Sequence, residues 1–124
     1  MTRKLRFPRS SAPFPDERVL VRWNAWRTQN SRRFCRGWLY LTTHRLIFQP
    51  RPWSAFFDGE FWQFGLAGIA GVRRHPRDTS QLLGGSFRDQ MLIERSDGTQ
   101  DPYVVRHLDD VIDQIRVAIK ETWL

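Results

Sequence analysis

The twelve residues 37–48, GWLYLTTHRLIF, constrain the fold of this chain more than any other segment. Two apolar runs alternate with period two on either side of a short polar turn, Thr42-Thr43-His44, which predicts a β-hairpin. Alternation puts Leu39 and Leu41 on one face of the first strand, and Leu46 and Phe48 on one face of the second. Gly37 permits close backbone approach where the hairpin begins. The same reading predicts an earlier strand over residues 19–27, with Val19, Val21 and Trp23 alternating against Leu20, Arg22, Asn24 and Trp26. The hairpin strands are expected at about 34–42 and 45–49, with Pro50 and Pro52 ending the second because proline cannot donate to a ladder. Short strands follow over residues 61–64 and 68–75, then a loop over 77–87 containing Gly84-Gly85. A second hairpin over 90–95 and 100–106 turns at Ser96-Asp97-Gly98-Thr99, where Asp-Gly supplies positive φ angles. The period then changes to that of a helix: Leu108, Val111, Ile112, Ile115, Ala118, Ile119 and Trp123 form one apolar stripe. Asp110 is the expected N-cap, with Asp113 at the capping-box position and Lys120 near the other pole.

The pattern G-x-L-x-L-T-x-x-R-L-x-F over residues 37–48 resembles the GRAM domain, a branch of the pleckstrin-homology (PH) superfold. Trp62, Leu66, Ile69 and Val72 are similar to that family's W-x-x-x-L-x-x-I-x-x-V strand and bend. Asp97-Gly98 falls at its late hairpin turn and residues 110–123 at its closing helix, so the resemblance spans roughly residues 17–122. It implies a mainly β fold with one C-terminal helix. Seven strands would form a partly open barrel or sandwich of two near-orthogonal antiparallel sheets, capped by the helix. Residues 1–15, with four cations, three prolines and no acid, read as a flexible basic arm, and residues 16–124 as the single PH/GRAM-like domain.

Charge divides the chain. Residues 1–53 carry a net +10 and residues 54–124 a net −3, giving the overall +7. Eighteen of the twenty cations are arginine, which forks bidentately onto phosphate and carboxylate. That favours an anionic partner, although a GC-rich genome writes the same arginine-for-lysine skew. The single cysteine, Cys35, excludes an intramolecular disulfide. The N-terminus has no apolar signal-peptide core, and the longest charge-free apolar stretch, residues 61–72, is broken by three glycines and too short to span a bilayer. The expectation is a soluble cytoplasmic protein, able to sit peripherally on the inner membrane face.

Three surfaces are candidates for binding. Arg27, Arg32, Arg33, Arg36 and Arg51 lie on or near the connection between the first two strands and at the end of the third. In PH-like folds that ligate phosphoinositides, cations from this region converge on headgroup phosphates, so the resemblance implies an anionic-headgroup site. The family's lysine-led K-x(n)-[KR]-x-R signature is absent, with Arg33 and Arg36 the nearest substitutes. Trp38, Tyr40 and Ile47 should point away from the core as an aromatic protein interface or self-assembly face, unless the arm or the following loop covers them. Trp53, Phe56 and Phe57 could enter a membrane interface, or cap the open end of the barrel. Arginines beside aromatics also suit single-stranded nucleic acid, but no recognition-helix, RRM or KH pattern accompanies them, and this partner ranks last.

Catalytic signals are weak. His44, His75 and His107 lack metal-site spacing, and Gly84-Gly85 is not followed by Lys-Ser/Thr as in a nucleotide phosphate loop. Asp109, Asp110 and Asp113 are accounted for by a helix N-terminus, and Cys35 by a strand interior. The expectation is a non-catalytic adaptor needing no cofactor or metal, whose first partner is an anionic phospholipid surface.

Overall fold

In the computed structural model the hairpin forms β2 (Arg33–Thr42) and β3 (Arg45–Pro50). The structure describes residues 6–8, 11–30, 33–51, 61–75 and 89–122, without the side chains of 28–30, 33 and 34. Leu41 pairs with Leu46 and Leu39 with Phe48, so all four side chains enter the core from one face. At the turn, the Thr42 hydroxyl accepts the amide N–H groups of His44 and Arg45 at 3.1 and 2.9 Å. Its own proton goes to the Glu17 carboxylate at 2.6 Å. Gly37 opposes Pro50, and a Cβ there would lie 2.5 Å from the Gln49 carbonyl oxygen and 2.8 Å from the Phe48 ring. The glycine is needed because Phe48 folds back across the neighbouring strand.

The remaining strands are β1 (Val19–Asn30), β4 (Trp62–Gly65), β5 (Ile69–His75), β6 (Gln90–Arg95) and β7 (Gln100–Val105). All seven are antiparallel, in the order β4-β3-β2-β1-β7-β6-β5. The two expected layers are parts of one continuous hydrogen-bonded sheet. The cause is the length of β1, twelve residues or about 40 Å of extended chain. It pairs with β2 along its whole length, but with β7 only through Ala25, Trp26 and Arg27. The two edge strands, β4 and β5, are joined by the 3-10 turn Leu66–Gly68 without pairing to each other, so the barrel stays open. This is the architecture of a PH-like β-sandwich.

The helix, α1 (Leu108–Thr122), packs against β5, β6, β7 and the 3-10 turn. Leu108, Val111, Ile112, Ile115 and Ala118 are buried, and Ile119 is partly so. Each fully buried aliphatic side chain contributes roughly 1.5–3 kcal/mol. Arg116 donates twice to the Val72 carbonyl at 3.0 and 2.7 Å, and Arg74 pairs with Asp109 at 3.0 Å, fixing the helix to β5. Asp110 is not the cap. The helix begins two residues earlier, and its first turn closes from the Val111 N–H to the carbonyl of His107, whose φ is +53°. Burial of Leu108 outweighs the capping preference, leaving Asp109 and Asp110 to interact with the positive pole.

The stretch expected to be a flexible arm is tied to the sheet in its described part. Arg45 donates to the Ala12 carbonyl at 2.7 Å and lies 4.2 Å from the centre of the Phe14 ring. Ser11 donates to the Gln63 side chain at 3.3 Å, and Pro8 is buried. The anchor is Glu17, whose two carboxylate oxygens accept from Arg45 at 2.8 and 2.9 Å and from the Phe14 amide at 2.9 Å. Arg45 also reaches the Gln63 side-chain oxygen.

Candidate functional site

Strand parity sorts the arginines. On β1, Arg22, Asn24 and Trp26 face away from the core; on β2 the same face carries Arg36, Trp38 and Tyr40. Register sets Trp26 opposite Arg36 and Asn24 opposite Trp38, with Gln49 of β3 beyond. Arg51 follows directly, its amide donating to the Arg36 carbonyl at 3.0 Å. The outcome is an arginine–tryptophan lattice. The Arg36 guanidinium lies 5.5 Å from the Trp26 ring centre, and Arg22 and Arg51 lie 5.9 and 5.2 Å from that of Trp38. Arg51 also donates to the Asn24 side chain at 3.0 Å. Among the described residues, none of these three guanidiniums pairs with a carboxylate; the ion pairs involve Arg27, Arg45, Arg74 and Arg95. A guanidinium resting on an indole is held in place by its face, while its exposed in-plane N–H donors can still fork onto an anion. In Arg51 the Nε is buried, so only its terminal nitrogens can serve.

Of the cations singled out in the sequence, Arg36 and Arg51 lie on this outer face, and Arg22 joins them. Its place could have been read from the alternation of Arg22, Asn24 and Trp26. Arg27 does not belong to this face. The same parity turns it inward, where it pairs with Asp101 at 3.0 Å, and Arg95 holds the other oxygen of Asp101 at 2.8 Å. Trp62 lies 5.5 and 5.8 Å from the two guanidiniums, so the cluster, two cations sharing one carboxylate, is packed against an aromatic face inside the open end of the sheet. Tyr103, opposite Arg27 in the register, is fully buried. Burial raises its phenol pKa well above the ordinary value despite the opposing charges of Arg27 and Arg95, so it stays protonated. Arg32 lies outside the described residues, as do Trp53, Phe56 and Phe57, and the side chain of Arg33 is likewise not described.

The expected aromatic interface is altered by its cover. Trp38, Tyr40 and Ile47 do face away from the core, but Tyr40 is 6 % exposed and Ile47 fully buried. The arm runs beside them: Gln63, the register partner of Ile47, and Arg45, two residues before it, both bond to arm residues. Neither Tyr40 nor Ile47 is available to anchor a partner, and Trp38 is half-buried beneath two arginines. Cys35 is a core residue. Among the described residues, no helix is long and apolar enough to cross a membrane.

No family model matches the sequence, and no curated protein matches it at a significant level. Among solved structures, the chain is similar to the C-terminal domain of an unknown protein from Leishmania infantum, with a TM-score of 0.64 at 12 % identity. The match covers 85 % of this chain and 86 % of that one. At this identity the likeness is one of fold.

Proposed function

We propose that this chain is a non-catalytic, GRAM-like adaptor that rests on an anionic surface, phospholipid headgroups at the inner membrane face, through the outer side of β1, β2 and β3. The observation that carries this reading is the set of Arg22, Arg36 and Arg51, seated on Trp26 and Trp38 with no carboxylate partner among the described residues. Each cation near an anionic leaflet contributes about 1 kcal/mol, so three strengthen attachment on the order of a hundredfold. The overall charge of +7 adds longer-range attraction. Resemblance of residues 37–48 to the GRAM pattern is consistent with such a role. Arg22 and Arg36 are exposed on the outer sheet face, so the binding this reading supports is governed by surface charge rather than stereochemistry.

Co-sedimentation with phosphatidylcholine vesicles, with and without phosphatidylserine, tests the reading. Binding should require the anionic lipid, weaken as salt rises and survive a duplex-DNA competitor. Absence of binding at low salt would remove the lipid. Complete displacement by DNA would leave only a general affinity for polyanions.

A further inference from the structure

A groove runs along the first half of β1, on the side opposite β2. Strand β7 stops pairing at Ala25, so on that side residues 20–24 have no hydrogen-bonded neighbour among the described residues. The opposite wall of the groove is α1, which packs mainly on β5 and the 3-10 turn and leaves a gap beside β1. Two adjoining hollows of about 330 and 290 Å³ occupy the gap and share Gln114 as a lining residue. One is bordered by Arg22, Trp23 and Asn24, the other by Leu20, Val21 and Leu41. The two walls match in length. Five residues of strand extend about 16 Å, and the eleven-residue rise from Asp110 to Glu121 also gives about 16 Å.

The groove combines three properties that fit an added strand. Its strand wall is a sheet edge whose alternate N–H and C=O groups point into the gap. Its rim is apolar: Leu20 and Val117, on opposite sides, are 48 % and 56 % exposed, and they are two of the three exposed large apolar side chains among the described residues. Beside the apolar hollow its helix wall is acidic, with Asp113 and Glu121, whereas the other hollow is of mixed charge, with Arg22, Arg106 and His107 around Asp110. This acidity is local, in a protein whose net charge is +7.

We infer that this groove is a docking site for an extended segment of a partner protein, about five residues long, that adds a strand to β1 and carries alternating apolar and basic side chains. The apolar side chains enter the hollow between Leu20, Val21 and Val117, and a lysine or arginine meets Asp113 and Glu121. The apolar hollow lies apart from the arginine–tryptophan face and takes the opposite charge, while the adjoining hollow borders Arg22, which belongs to that face.

The test uses an eight-residue peptide of alternating valine and lysine, titrated into the full ¹⁵N-labelled chain. Attraction to the protein as a whole cannot account for its binding, because both molecules are basic. The expected result is amide shifts confined to residues 20–24 and 110–121, lost when alternate peptide bonds are N-methylated and weakened about tenfold by Val117→Lys. Val117 is exposed, so that variant should keep the wild-type melting temperature; Leu20→Lys is a second variant from the other rim. No shifts at millimolar peptide, shifts centred elsewhere, or equal binding of the N-methylated peptide would overturn the inference. Concentration-dependent shifts of the same residues without peptide would overturn the partner as occupant and put a second copy of this chain in the groove.

Discussion

Replacing Glu17 by glutamine should remove the charge that balances a buried arginine while keeping the side chain's size. The Arg45 side chain is 5 % exposed and that of Glu17 is fully buried. Taking away one member of such a pair costs roughly 3–5 kcal/mol, because the remaining ion is left without its counter-charge. The lower end applies here: glutamine still offers an oxygen, and Arg45 keeps the Ala12 carbonyl and the Gln63 side chain. At about 3–5 °C per kcal/mol for a domain of this size, the melting temperature should fall by about 10–15 °C at neutral pH. Far-UV circular dichroism during thermal unfolding reads this directly, and the double variant with Arg45→Met should recover part of the loss. The pH dependence provides a second check. Burial alone would raise the Glu17 pKa, but bonds from Arg45, Thr42 and the Phe14 amide, with the Arg45 charge, outweigh it and hold the carboxyl below its ordinary value. A carboxyl depressed in this way contributes stability that is complete above its unfolded pKa and disappears as pH falls through the folded one. The gap between wild type and Glu17→Gln should therefore narrow on acidification. A fall of less than about 3 °C at neutral pH, or a gap that widens in acid, would refute the argument that this pair anchors the arm.

Gly37→Ala should destabilise by about 1–3 kcal/mol, since the new methyl meets backbone as well as the Phe48 ring; the urea midpoint measures it, and an unchanged midpoint would mean that β2 and β3 can separate at no cost. Asp101→Asn should cost about 1–3 kcal/mol by leaving Arg27 and Arg95 without their shared charge. The same variant should bind anionic vesicles as wild type does, whereas a large loss of binding would return Arg27 to the functional face.

The hairpin and its register were legible because period-two alternation leaves only one way to bury Leu39, Leu41, Leu46 and Phe48 together. The place of the Asp97-Gly98 turn was equally plain, although only Gly98 takes a positive φ, +90°, while the Asp97 side chain accepts the Thr99 amide at 2.8 Å. Pairing between distant strands was not legible, since nothing local in residues 19–30 tells how far β7 will follow them, and that sets whether there is one sheet or two. The inward turn of Arg27 was available by counting from Val21 through Trp23 and Ala25, while its partner Asp101 lies 74 positions away. Tyr40 and Ile47 are buried on the face where Glu17 and Arg45 pair, two residues that look like ordinary surface charges in the sequence. Side-chain alternation gives the face, and tertiary contacts decide whether that face is open.

The central claim, that the arginine–tryptophan lattice attaches this protein to anionic lipid, is tested most directly by Arg22→Glu, Arg36→Glu and Arg51→Glu combined in one chain. These side chains make no ion pair among the described residues, so the melting temperature should stay within a few degrees of wild type. Partitioning onto phosphatidylserine vesicles should then fall at least a hundredfold, with about 1 kcal/mol lost for each cation removed and further repulsion from each new carboxylate. A folded triple variant that still sediments with those vesicles as wild type does would contradict the account.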